Sequence, residues 1–219
     1  MRMGETAAAG AAILSTTYFG PVQWYQKLYR YRDVWIECHD HFVKQTYRNR
    51  CLIAATQGVQ ALTLPVVHDP DSMLTRDLRI SDHGNWRHLH WNAIRSAYGD
   101  SPFFEFYADD LAVFFEQRWT FLIDFNNAIT EMMCRLLEIT PSIHPTKAFF
   151  TGENSREALG CDTAPDDFRE VIRPKHPLAD PAFEPRRYYQ VFEQKHGFLP
   201  NLSILDLLMN EGPEGIFFL

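Results

Sequence analysis

The chain has 219 residues, 46% of them apolar and 22% charged, enough for one globular domain with a sizeable core. Its net charge of −7 excludes general nucleic-acid binding, which needs a basic surface. No stretch approaches the roughly 18 consecutive apolar residues of a membrane-spanning helix, so no membrane span is expected. The small-residue stretch near the start follows Glu5 and runs straight into a strand-like segment, which argues against a signal peptide. Cys38, Cys51, Cys134 and Cys161 lack paired spacing, so reduced thiols and a cytoplasmic location are expected.

In chain order, residues 12–15 predict a strand, and Pro21 suits a first helical turn with Trp24, Tyr25 and Leu28 on one face. Residues 34–38 are β-branched and aromatic, a second strand. Extended chain is expected over 41–54, then a turn at Thr56-Gln57-Gly58 and an alternating strand over 59–67, with Pro65 at an edge or bulge. A fifth short strand is expected at 78–81. From Trp86 the period changes: Trp86, Leu89, His90, Ala93, Ile94 and Ala97 form one helical stripe that should stop at Gly99. Ser101-Pro102 reads as a helix start, and 111–115 and 121–137 continue helically. Residues 140–187 hold Pro141, Pro145, Pro165, Pro174, Pro177, Pro181 and Pro185, which predict an irregular segment with short elements. A short element at 188–196 and a closing helix at 203–209 complete the chain. The whole reads as a single domain of mixed α/β (α+β) class. A short-stranded sheet in the N-terminal half packs with several helices, and the irregular Pro-rich segment precedes the closing helix.

Charge is unevenly spread. Lys27, Arg30, Arg32, Lys44, Arg48 and Arg50 outnumber the acids between residues 20 and 60, whereas 100–140 is strongly acidic. A locally basic region on an acidic protein suits a small anionic ligand; solvated faces are the bland alternative. Within it, Lys44-Gln45-Thr46-Tyr47-Arg48-Asn49-Arg50 is a polar run between apolar segments. Arginine can grip phosphate or carboxylate with a forked geometry, and alternation would put Lys44, Thr46, Arg48 and Arg50 on one face. Upstream, Cys38-His39-Asp40-His41 gathers thiol, imidazole and carboxylate. On a strand His39 and His41 would share a face, as the start of a metal site requires, but no spacing supplies a third ligand. Cys38 ends an apolar strand and reads as core packing rather than a nucleophile. His90 is either a satisfied core histidine or one aimed into a pocket. Asp69-Pro70-Asp71 reads as turn-forming, and Asp206, three residues after Ser203, as a helix-start residue. With no Gly-rich phosphate loop, Gly-x-Ser-x-Gly or Cys-x-x-Cys, no cofactor and no bound metal are expected.

The segment Val43-Lys44-Gln45-Thr46-Tyr47-Arg48-Asn49-Arg50, followed by Ile53 and the apolar run 62–66, resembles the WbqC-like proteins. So do Tyr18-Phe19-Gly20-Pro21, the spaced Trp86, Ile94, Tyr98 and Ser101-Pro102-Phe103-Phe104, and Leu202-Ser203-Ile204-Leu205-Asp206-Leu207-Leu208 near the end. Two departures stand out: Thr16-Thr17 where the family often has Gln-Pro, and Cys38-His39 where it often has two acids. The resemblance implies a bacterial, cytoplasmic role in surface-polysaccharide (O-antigen) biosynthesis, close to nucleotide-linked sugars, with transfer of an aminoacyl or acyl group to an amino sugar.

Three readings follow. In the first, a transferase holds a small anionic substrate, such as a nucleotide-linked sugar, through Lys44, Arg48 and Arg50. Gln45 and Asn49 orient polar groups, Tyr47 belongs to the same binding set, and His90 or His39 is the general base. Lys44, Arg48, Arg50 and His90 should then converge on one concave, aromatic-walled pocket. The second is a non-catalytic binding or assembly protein, and the third a metal-dependent hydrolase using His39 and His41. The apolar C-terminal residues 216–219 should pack onto the domain or across a homo-oligomer contact.

Overall fold

In a computed structural model, which describes residues 9–67, 73–151, 155–160 and 163–219, the chain opens on a strand–helix–strand unit. The Asp69-Pro70-Asp71 triplet, Cys161 and residues 1–8 lie outside the described residues. β1 (Ala9–Ser15) and β2 (Tyr31–Glu37) pair in parallel, from Ala9 opposite Tyr31 to Ser15 opposite Glu37. Ala11, Ala12, Ile13 and Leu14 are all buried, because a parallel strand is covered on both faces. The crossover is α1 (Val22–Arg30), which starts after Pro21, a residue whose missing N–H costs a helix start nothing. Trp24, Tyr25 and Leu28 turn inward as the spacing predicts, and Trp24 Nε1 donates to the Ser15 carbonyl at 2.9 Å.

Residues 41–49 are not the extended chain expected. They form a folded loop in which Gln45 takes a positive φ of 61° while Thr46, Tyr47, Arg48 and Asn49 are all buried. The hairpin of β3 (Arg50–Ala55) and β4 (Gly58–Thr63) follows, turning through Thr56-Gln57 with Gly58 at φ 106°. β4 ends at Thr63, two residues before Pro65, which has no N–H for a ladder. Where a fifth strand was expected there are only single bridges, Val66 with Ile80 and Arg79 with Phe121.

α2 (Trp86–Tyr98) stops at Gly99, α3 (Phe104–Glu116) follows, and α4 (Leu122–Leu136) buries Leu122, Phe125, Ile129 and Met133 completely. Ser101-Pro102 sits in the turn before α3 rather than capping it; the capping position is Phe103. The Pro-rich segment holds short elements, as expected, but two of them join the parallel sheet. It supplies β5 (Ser142–Pro145), the short helix α5 (Ser155–Ala158) and β6 (Asp166–Asp167). β5 pairs in parallel with β2 and β6 with β1, so the sheet order is β5-β2-β1-β6 and half its strands come from the second half of the chain. Pro145 ends β5 and Pro165 precedes β6, positions that edge strands tolerate.

After α6 (Glu193–His196), α7 (Ile204–Glu211) is capped by the Ser203 hydroxyl, which accepts from Leu205 N at 3.3 Å. Asp206 lies in the first turn of this helix, as expected, and is 1% exposed. A 3-10 turn over Gly212–Phe218 then brings Leu219 into the core, while Phe217 stays outside. The result is the mixed α/β fold expected, with more of the sheet built late in the chain.

Candidate functional site

All four parallel strands end at one edge. Thr146 N donates to the Ile36 carbonyl and Phe168 N to that of Ile13, so the residues after β5 and β6 lie beside the ends of β2 and β1. Glu37 closes β2 there with 0% exposure. Its Oε1 accepts from Thr146 Oγ1 at 2.9 Å and His39 N at 2.8 Å, and its Oε2 from Arg169 Nη1 at 3.1 Å and Phe150 N at 3.3 Å. Arg169 also pairs with Asp167 at 2.6 Å and donates to the Phe150 carbonyl at 2.8 Å. A buried carboxylate is tolerated only with such partners, and here they fix the loop after β2 to both outer strands.

That loop carries the polar run. Arg48 and Asp40 form a buried ion pair, and the Thr75 hydroxyl donates to the same carboxylate. Arg48 Nη1 reaches Thr46 Oγ1 at 3.3 Å; Asn49 Nδ2 donates to the Leu64 carbonyl at 2.8 Å; the Tyr47 carbonyl accepts from Tyr18 N at 2.9 Å. Tyr47, Arg48 and Asn49 are thereby tied into the fold. Lys44 and Gln45 are exposed at the loop tip, where Gln45 Oε1 accepts from Lys175 Nζ at 2.7 Å. His39 is partly exposed, with Nε2 3.0 Å from Arg76 Nη1; since guanidinium only donates, Nε2 is the accepting nitrogen and the ring proton sits on Nδ1.

On the other face of the sheet lies a cleft of about 620 Å³. Side-chain alternation sends Ile36 and Cys38 into it and Glu37 away. Thr16 at the end of β1, Trp24 of α1, Cys134 of α4 and Ile143 of β5 complete its inner walls. Burial, with the Glu37 charge second, pushes the Cys38 thiol up to about 11, and burial pushes Cys134 up to about 12. Both stay protonated at neutral pH, and the Cys38 thiol donates to the Ile36 carbonyl at 3.3 Å. Cys38, Cys51 and Cys134 are free thiols, as their spacing predicts.

The expected convergence of Lys44, Arg48, Arg50 and His90 is not what the structure shows. His90 is 7% exposed, its Nδ1 accepts from the Tyr18 hydroxyl at 2.9 Å, and its ring packs on Trp86. Burial lowers its pKa to about 4, so it is a neutral core histidine at physiological pH. Arg50 Nε donates to Thr63 Oγ1 at 3.0 Å across an exposed part of the hairpin. Arg48 faces Asp40. His41 is exposed beside Leu74, and among the described residues no three His, Cys, Asp or Glu side chains gather as a metal site would require. Of the expected set, His39, Lys44 and Gln45 stand at the carboxyl edge within reach of solvent. Glu37, Thr146 and Arg169 were missed, since more than a hundred residues separate Glu37 from its partners. The one available signal was an acid closing an apolar strand.

The WbqC-like protein family matches residues 16–171. An uncharacterized protein of Mycobacterium tuberculosis, Rv1507c, is 27% identical over 93% of this chain and 94% of its own length. No solved structure matches. Among the described residues no helix is long and apolar enough to cross a membrane.

Proposed function

Because the chain belongs to the WbqC-like protein family, we propose that it is a cytoplasmic transferase acting on a small anionic metabolite. The substrate class is a nucleotide-linked amino sugar of surface-polysaccharide biosynthesis, which receives an aminoacyl or acyl group. One observation carries this reading: a loop that presents Lys44 and the Arg76-bonded His39, and a ligand-sized cleft, both arise from the end of β2, at the carboxyl edge of a parallel sheet. Ligands of open parallel sheets settle at that edge, where loops rather than strands shape the surface.

Lys44 and Arg76 supply cationic donors for phosphate oxygens, and Gln45 orients a polar group. Arg48 acts through position, holding the loop by its buried pair with Asp40. His39 rather than His90 is the general base. When Arg76 turns from Nε2 to an anionic oxygen of the ligand, the lone pair on Nε2 is released. It then takes the proton of the attacking amine as the new nitrogen–carbonyl bond forms and the donor's leaving group departs. The test is product analysis by mass spectrometry, with nucleotide-linked amino sugars and acyl or aminoacyl donors. Wild type should add one acyl mass, and His39→Ala should be at least about a hundredfold slower with an unchanged melting temperature. No product from wild type with any pair, or full activity in His39→Ala, contradicts the reading.

A further inference from the structure

We propose that the cleft between β2, β5 and α4 is the subsite for an aliphatic acyl chain, the uncharged part of the transferred group, while the anionic parts stay outside on the loop after β2. This rests on the transferase reading and assigns its donor.

The inner walls present carbon: Trp24, Ile36, Ile139 and Ile143. The two charged residues that line the cleft, Glu131 and Arg135, are exposed at its rim, and Arg135 is paired with Asp110 at 3.2 Å. Both thiols on the floor are protonated, as their burial requires. A diphosphate placed on that floor would lose its water and meet no cation, a prohibitive arrangement. An acyl chain gives up no hydrogen bonds to water by entering and gains with each methylene covered. The volume, about 620 Å³, lies in the ordinary range for small-molecule sites.

Two buried hydroxyl side chains line the cleft, Thr16 and Thr130, and Thr16 is the more deeply buried. Thr16 is 2% exposed, and its hydroxyl oxygen accepts from Asn126 Nδ2 at 3.1 Å. That contact occupies the oxygen and leaves the hydroxyl hydrogen to donate, which suits a carbonyl oxygen. Ser15 pairs with Glu37, so Thr16 follows beside Cys38, and Cys38 directly precedes His39; a carbonyl held by Thr16 therefore sits at the strand ends from which the proposed base departs.

Octanoyl-pantetheine is a suitable probe, because the thioester is uncharged and reports on the cleft rather than the basic loop. Titration calorimetry should show binding to wild type, at least tenfold weaker binding of acetyl-pantetheine, and at least tenfold loss of octanoyl-pantetheine binding in Ile143→Trp, which fills the cleft. Thr140→Trp, at an exposed lining position, is a second blocking variant should Ile143→Trp fail to fold. Nucleotide-linked sugar binding is measured in the same proteins. If wild type binds the sugar nucleotide but not octanoyl-pantetheine, or binds both thioesters equally, or both blocking variants bind octanoyl-pantetheine as wild type does, the acyl subsite is wrong and the transferase reading stands. If free uridine displaces octanoyl-pantetheine, the cleft takes a nucleobase and the assignment is overturned. If wild type binds no sugar nucleotide at all, the transferase reading itself fails.

Discussion

Glu37 at the carboxyl edge and Asp206 in the closing helix are equally buried carboxylates held in different ways. Glu37 meets a guanidinium, two backbone N–H groups and a hydroxyl. Asp206 meets the Tyr188 hydroxyl at 2.7 Å and the Gln190 amide at 2.8 Å, both neutral donors. Burial therefore raises Asp206 to about 6. The edge sets a guanidinium against its buried carboxylate, whereas the closing helix offers its own acid neutral donors. A charge-balanced edge is the kind of rigid frame a binding loop needs; an acid that neutralises suits a region that only closes the core.

The sharpest way to break this comparison is to remove the balancing cation. Arg169→Ala leaves Glu37 buried beside neutral donors alone, and should cost about 3–5 kcal/mol in denaturant melts at pH 7. A loss below about 1 kcal/mol would mean that the edge does not depend on its ion pair.

A smaller, pH-dependent effect separates Asp206 from His90. Between about pH 4 and 6 the folded chain keeps a proton on Asp206 that the unfolded chain has released, so this group's contribution falls as pH rises and is level above that window. His90 does the opposite. Its folded pKa of about 4 lies below the ordinary 6.5, so only the unfolded chain takes up the proton in between, and stability rises with pH. Each effect is at most on the order of 3 kcal/mol. Relative to wild type, Asp206→Asn should therefore shift the stability–pH profile toward a rising slope over this range, and His90→Gln toward a falling one. Parallel profiles for both variants would contradict the two environments.

Much of the fold was legible because its signals are local. The stripe from Trp86 to Ala97, the Gly99 stop, the apolar face of α4 and the Thr56-Gln57-Gly58 turn each depend on residues a few positions apart. β5 and β6 were not legible: four and two residues are too short for an alternating period, and the surrounding prolines hide them. The loop after β2 was misread for a related reason. Its polar residues imitate an alternating strand, but Arg48 is drawn inward by Asp40 and Asn49 by a backbone carbonyl, contacts that a pattern in sequence does not announce. The same run, through Lys44, Gln45 and the neighbouring His39, marks the loop that the proposal assigns to the ligand. His90, on an apolar stripe, proved to be the satisfied core histidine.

The central claim, that the loop after β2 together with the adjoining Arg76 holds the anionic part of the substrate, is tested most directly by calorimetric titration with UDP-linked amino sugars. Wild type should bind, the Lys44→Ala/Arg76→Ala double variant should lose at least about tenfold in affinity for the loss of charge-assisted contacts, and Arg50→Lys should bind as wild type does. Equal affinity in wild type and the double variant, or a loss confined to Arg50→Lys, would contradict it.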